Sequence, residues 1–240
     1  MRQRKKHIVA LVVLQFSVFS LLAQTAGSTT SPVAEDLKKI SAKYSSGDLS
    51  MSFKYSYFYD INVNTPNKVL TGEMKQKGEL YYYKLDQTEV MRTANHIVML
   101  DRKHKSLMLD TVIGNPEPQS SSTIPIDSLI QFYGTIEVKD EGDYRTYKLM
   151  SPLEGISHTL LKVNTQSWTI KSIEVYFYEN RPGKDPESIR NKMVIDYTNF
   201  QEPCKQGKSF FDVAKYVSYT KNKYQAKPAF RQYTFMNNLD

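Results

Sequence analysis

The sequence predicts an α+β protein dominated by one large antiparallel sheet, with a helix ahead of it and a short helix in a mid-chain insertion. Three observations lead there. Apolar and polar residues alternate with period two through most segments between 48 and 200, as strands with one buried face require. The joining stretches are polar or glycine-bearing and too short for a parallel crossover, so neighbouring strands pair antiparallel. Ahead of them, PVAEDLKKISAKYSS has its apolar residues at helical spacing. Such a sheet must bury a face, and it does so by curling around its helices.

The first 23 residues, MRQRKKHIVALVVLQFSVFSLLA, open with Arg2, Arg4, Lys5 and Lys6 and continue as an apolar run from Ile8 to Ala23. This is the pattern of a secretory signal peptide. An uncleaved membrane anchor is the alternative, since the run is only just short of the roughly 20 residues a spanning helix needs. Gln15, Ser17 and Ser20 within the run, and the SLLAQ junction, favour cleavage. Four of the 32 basic residues leave with the signal and no acidic one does. The remaining 28 basic against 25 acidic residues give +3, an ordinary solvated surface that excludes a nucleic-acid reading built on charge.

The chain beyond the signal is long enough for one domain with a full core. The single cysteine, Cys204, forms no internal disulfide, fits no metal-binding spacing, and lies far from the signal junction, where a lipidated cysteine would sit. No N-x-[ST] acceptor occurs, which favours a bacterial envelope protein over a glycosylated one. The expected location is therefore periplasmic, with an extracellular protein as the alternative.

Residues 24–32 read as a flexible lead-in. In the helix that follows, Val33, Leu37, Ile40 and Tyr44 share a face, with Glu35 and Asp36 early and Lys43 late, as the helix dipole favours. In DLSMSFKYSYFYDINV, Met51, Phe53, Tyr55, Tyr57 and Tyr59 alternate with Ser52, Lys54, Ser56, Phe58 and Asp60. A meander continues through residues 68–112, with turns at QKG, TAN and RKHK. Residues 114–125, with three prolines and three serines, form an exposed excursion. IDSLIQFYG follows as the short helix, ending at Gly134. Strands resume in TIEVKDEG, DYRTYKLMSP, HTLLKVNTQSWTIKSIEVYFYEN and NKMVIDYTNFQEP, with the polar loop RPGKDPES at 181–188. The C-terminal extension, 205–240, reads as a short helix or strand followed by an extended tail.

No constellation of catalytic or metal-binding residues stands out, and no cofactor motif is present. His96, His104 and His158 lie in turns or at a strand start, without zinc-site spacing. Ser218 and Lys221 make an S-x-x-K that chance explains, with no nucleophile elbow beside it. Asp86 and Glu89, Asp101 and Asp110, and Asp140, Glu141 and Asp143 fall at or beside turns, where exposed acids are ordinary. The chain has no glycine-rich phosphate loop.

The positive signal is aromatic: 17 Tyr and 11 Phe against one Trp. Aromatic residues suit strands for purely structural reasons. They also suit a wall that holds an apolar or sugar-like ligand. In LYYYKL, residues 80–85, Tyr81, Tyr83 and Leu85 share the face expected inside, while Leu80, Tyr82 and Lys84 face out. The candidate ligand-binding face comprises Phe53, Tyr55, Tyr57, Tyr59, Tyr81, Tyr83, Leu85, Val98 and Leu100.

The order of these elements resembles the bacterial outer-membrane lipoprotein carriers and their half-barrel superfamily. The resemblance rests on the opening helix, on LSMSFKYSYFYD, on GEMKQKGELYYYKLDQTEVMRTANHIVMLDRKHKSLMLD, and on VNTQSWTIKSIEVYFYEN with MVIDYTNF. Gly78, Leu80, Tyr81, Asn95, Val98, Leu100 and Asp101 fit the family outline. It spans roughly residues 33–200 and implies a domain over 33–204: an unclosed half-barrel whose concave face, covered by helices, accepts acyl chains. Two function classes follow. One is a non-enzymatic carrier or chaperone-like protein that binds a lipid or a lipoprotein acyl chain and touches the membrane only transiently. The other is an adaptor subunit of an envelope assembly with a filled cavity, docking other envelope proteins through Tyr216, Tyr219, Tyr224, Phe230, Tyr233 and Phe235. An envelope hydrolase is the third reading.

Overall fold

The computed structural model describes residues 32–112, 132–133, 136–178, 189–221 and 223–239. The expected signal peptide, the proline-rich excursion and the 181–188 loop lie outside the described residues, as does the short mid-chain helix apart from Phe132 and Tyr133, which have helical backbone. Helix α1 (Pro32–Ser45) comes first. Strands β1 (Asp48–Phe58), β2 (Lys68–Lys77), β3 (Leu80–Leu85), β4 (Thr88–Arg92), β5 (His96–Asp101) and β6 (Ser106–Thr111) follow. A second run comprises β7 (Ile136–Glu141), β8 (Tyr144–Met150), β9 (Ile156–Asn164), β10 (Ile170–Tyr178) and β11 (Ile189–Gln201). The C-terminal extension adds β12 (Val217–Thr220), β13 (Lys223–Ala226) and β14 (Thr234–Asn237), with single 3-10 turns between them.

Twelve strands form one sheet in the order β14-β6-β5-β4-β3-β2-β1-β11-β10-β9-β8-β7, while β12 and β13 pair only with each other. The large sheet ends in two different edge strands, β14 and β7, and so does not close into a barrel. Its described pairings are antiparallel except that of β14 with β6, which is parallel. A parallel neighbour is possible there because more than a hundred residues separate the two strands.

By compactness the chain divides into two units. The first draws on Met1–Ser46, Tyr57–Asn67 and Glu117–Ile195. In it α1 turns Ala34, Leu37, Ile40 and Tyr44 inward, the i, i+3, i+6 and i+10 positions of one helical face. Asp36 is also buried on that face, and it is paired. Its carboxylate accepts from the Tyr147 hydroxyl at 2.9 Å and from the Arg145 guanidinium, whose Nε reaches Asp140 at 2.6 Å. The Tyr44 hydroxyl accepts the backbone N–H of Ile170 at 2.8 Å. These polar ties bind the helix to β8 and to the start of β10, and across β8, β9 and β10 Tyr147, Leu161, Val163, Ile173 and Val175 are buried.

The second unit draws on Gly47–Ser56, Lys68–Pro116 and Asp196–Asp240. Its meander β2–β6 turns through residues that accept the left-handed backbone, including Gly78 at φ 62° and Asp86 at φ 52°. The extension is not an extended tail. It folds back as two 3-10 turns, Lys208–Phe211 and Val213–Lys215, then the β12–β13 hairpin, a third turn at Pro228–Phe230, and finally β14 along β6.

Candidate functional site

The register of the second unit sorts its side chains into two faces. Across β2, β3 and β4, Met74 lies opposite Tyr83 and Tyr83 opposite Val90. Because directly paired residues point the same way, Tyr81, Tyr83 and Leu85 share a face with Met74 and Val90. Phe53 stacks on Tyr83 with ring centres 5.4 Å apart and planes at 19°. Edge contacts join Phe53 to Tyr55 at 5.6 Å and to Tyr197 at 6.4 Å. Gly72 makes this packing possible, since a β-carbon there would collide with the Phe53 ring and with the Lys84 carbonyl oxygen. Burial pushes the Tyr81 hydroxyl well above the usual phenol range, and the neighbouring Tyr83 and Tyr197 hydroxyls push it further. The Tyr81 hydroxyl is therefore neutral at physiological pH.

The same row continues past the aromatic cluster. Val90 lies opposite Met99, Met99 opposite Met108, and Met108 opposite Met236 on β14. Six neighbouring strands thus contribute one aligned row: Met74, Tyr83, Val90, Met99, Met108 and Met236. At the usual strand spacing it runs about 24 Å across the sheet. The row changes character along its length: Met74, Tyr83 and Val90 are buried, whereas Met99 is 39% and Met236 42% exposed. Thioether side chains on an exposed surface adapt to apolar partners of varied shape.

The opposite face is closed by the chain itself. Tyr82, Met91, Val98, Leu100, Leu107 and Leu109 form a buried cluster with Phe211, Tyr216, Val217 and Phe230 of the extension. Phe210 meets the Tyr82 ring edge-on at 5.0 Å. Glu89, buried at the margin, accepts from the Tyr216 hydroxyl at 3.0 Å and from Arg102 at 2.9 Å. Burial, with the Glu89 carboxylate beside them, pushes the Tyr82 and Tyr216 hydroxyls up. The extension is also held by backbone bonds, with Thr234 N–H donating to the Lys105 carbonyl at 2.8 Å and Asn238 N–H to that of Leu109 at 3.0 Å.

Placement of the sequence-derived candidates follows from these two faces. Phe53, Tyr55, Tyr81, Tyr83 and Leu85 come together as expected. Val98 and Leu100 do not join them: Val98 lies opposite Met91 and Leu100 opposite Glu89, on the Tyr82 face. Tyr59 lies beyond the end of β1, 67% exposed, in a loop where its N–H donates to Asn67 Oδ1 at 2.8 Å. Tyr57, half-buried near the end of β1, falls with Tyr59 in the other compact unit, and burial pushes its hydroxyl up to about 12. Tyr82, expected on the outward face covering neighbouring strands or a partner, is buried there beneath the chain's own C-terminal extension. Among the candidate docking residues, Tyr216 and Phe230 are buried against the chain's own sheet, and Tyr224, Tyr233 and Phe235 are partly buried there. Tyr219 alone of the six is mostly exposed, at 60%. The methionine row was missed because Met99 and Met108 align only through the β5–β6 register, and Met236 joins them only once β14 is paired, a strand with no alternation long enough to mark it.

The histidines make structural contacts. His96 Nε2 lies 3.1 Å from the Tyr224 hydroxyl, His104 Nδ1 lies 2.6 Å from Asp101, and His158 stacks on Tyr176 at 4.4 Å. Among the described residues no group of three or more His, Cys, Asp or Glu is placed to hold a metal ion.

The second unit thus has one face sealed by the C-terminal extension and another grading from packed aromatics to exposed methionines. Solved structures similar to the chain include a LolA superfamily protein from Nitrosomonas europaea (10% identity, covering 74% of this chain and 98% of that one, TM-score 0.31). Others are an uncharacterized conserved protein from Thermus thermophilus (8% identity, 86% and 99% covered, TM-score 0.45) and the Mycobacterium tuberculosis lipoprotein LppX (8% identity, 74% and 99% covered, TM-score 0.39). At these identities and TM-scores the similarity assigns no activity. No family model matches the chain, and no curated protein matches it.

Proposed function

We propose that the protein is an exported, non-enzymatic binding protein that takes up an acyl chain of a lipid or of a lipid-modified partner on the Tyr83 face. The observation that carries this reading is the six-residue row from Met74 to Met236, in which the Tyr83 hydroxyl is the one polar side-chain group, buried at one end and exposed at the other. A polar ligand would leave its hydrogen-bonding groups unsatisfied against such a row. A flexible hydrocarbon chain loses nothing there and removes exposed methionine from water. The periplasm is the compartment in which we expect it to act, with cleavage of the first 23 residues on export.

The test is to purify the protein from its native host, extract it with organic solvent, and titrate it with a fluorescent fatty acid. Recovered lipid and saturable uptake are expected. Consistently empty protein that takes up no fatty acid would sink the proposal. One observation favours the second reading, an adaptor with a filled interior: the Phe53, Tyr55 and Tyr83 rings are all nearly inaccessible to solvent. In that case uptake is absent and the protein is recovered with envelope proteins.

A further inference from the structure

We propose that the β12–β13 hairpin is a docking surface for an anionic lipid bilayer. The hairpin is not hydrogen-bonded into the large sheet as a strand, since β12 and β13 pair only with each other. Its root is fixed, because Tyr216 and Val217 are buried in the cover over the Tyr82 face. At its outer end Thr220 pairs with Lys223, and the turn passes through Lys221 in left-handed backbone at φ 51°. One pair further in, Tyr219 lies opposite Tyr224, with ring centres 4.8 Å apart. Tyr219, Lys221 and Lys223 are all exposed.

Charge singles out this region. Residues 205–240 hold seven basic residues, Lys205, Lys208, Lys215, Lys221, Lys223, Lys227 and Arg231, against Asp212 and Asp240. Residues 24–204 hold 21 basic against 23 acidic. The positive charge of the chain beyond its signal is therefore concentrated in its last 36 residues. Among the described residues Lys221, Lys223, Lys227 and Arg231 make no ion pair with a carboxylate. A folded protein that needed these charges only for solubility would have no reason to segregate them from its acids.

The residue types select the partner. Six of the seven cations are lysines, compact point charges suited to a diffuse array of negative headgroups. Recognition of an individual carboxylate or phosphate group on a peptide favours the planar fork of arginine. A tyrosine ring with its hydroxyl at the exposed end suits the bilayer interface, where one side is apolar and the other wet. Lysines at the tip, one position beyond such a ring, reach the headgroup layer with their charges while their stems lie along its apolar side. The inference stands on the hairpin alone and does not require an acyl chain on the Tyr83 face.

The full chain without its first 23 residues is sedimented with vesicles of phosphatidylcholine, and with vesicles in which phosphatidylglycerol is mixed. Retention is expected on the second kind only, and it is lost at about 0.5 M salt, where surface charge is screened. K221Q/K223Q, both at exposed positions, should bind the anionic vesicles roughly 20-fold more weakly. Tyr219→Ser should weaken binding severalfold with an unchanged melting temperature. The proposal is overturned if the chain binds both vesicles equally or neither, or if K221Q/K223Q binds like the unaltered chain. It is equally overturned if a single-stranded oligothymidylate is bound while anionic vesicles are not, which would make the hairpin a nucleic-acid surface.

Discussion

Tyr82 and Tyr83 are adjacent in sequence and both buried, yet they are buried by different parts of the chain. Tyr83 is packed by β1, through the stacked ring of Phe53, and by its paired neighbours Met74 and Val90. Tyr82 is packed by residues about 130 positions later, Phe210 foremost. A strand apolar on both sides needs two covers. In β3 one cover is supplied locally and the other by the C-terminal extension. The difference separates roles: the extension completes the fold on its face, which leaves the Tyr83 face, with its exposed methionine end, as the one with surface to offer a ligand.

The severest way to break this comparison is to remove the extension. Ending the chain after Cys204 exposes Tyr82, Met91, Val98, Leu100, Leu107 and Leu109 together. Each is worth about 1.5–3 kcal/mol on burial, so their sum rivals the whole stability of a typical domain, about 5–15 kcal/mol. We expect an aggregating product without a cooperative thermal transition. A truncated protein that melts like the full chain would return the extension to the role of a free docking arm.

A smaller effect is expected from Gly72→Ala on the other face. The added methyl group meets the Phe53 ring and the Lys84 carbonyl, and relief requires both the Phe53–Tyr83 stack and the β2–β3 backbone to shift. Overpacking of this kind costs about 1–3 kcal/mol, measurable by denaturant unfolding. Unlike the truncation, this variant should fold. An unchanged midpoint would show that the stack is loose.

Smallest is an effect of pH that touches both faces. The Tyr81, Tyr82 and Tyr216 hydroxyls have folded-state pKa values raised above the ordinary 10.0, chiefly by burial. An unfolded chain would ionise them near that value. The sign is therefore fixed: their contribution to stability is intact below pH 10 and is lost progressively as pH rises above it. Melting temperature should fall steeply above that pH, and less steeply in Tyr82→Phe and Tyr81→Phe. Tyrosinate absorbance for these groups should appear only with unfolding. A folded-state tyrosinate signal near pH 10 that is smaller in Tyr82→Phe or Tyr81→Phe than in the unaltered protein would contradict their burial.

Much of the architecture was legible because it rests on local signals. The apolar spacing of Leu37, Ile40 and Tyr44 predicts α1, and alternation through Met51, Phe53 and Tyr55 predicts β1. Period two also places Tyr81, Tyr83 and Leu85 on one face. What it cannot do is carry a face from one strand to the next, because that needs the register. Val98 and Leu100, expected on the Tyr83 face, are placed with Tyr82 by pairing through Met91 and Glu89. The extension was illegible for a related reason. Its four-residue strands and single 3-10 turns are too short to show a period, and their positions are set by a surface supplied from elsewhere in the chain.

The central claim is that the exposed methionine end of the Tyr83 row admits an acyl chain. Its most direct test is a fluorescent fatty-acid titration of the unaltered protein beside Met99→Asp, with Tyr219→Ser as a control away from the row. A carboxylate at position 99 lies in the row but at a partly exposed position, so the fold should survive it. The account predicts saturable binding by the unaltered protein and by Tyr219→Ser, and affinity at least about tenfold weaker, about 1.4 kcal/mol, in Met99→Asp. Equal affinity in all three proteins would contradict it.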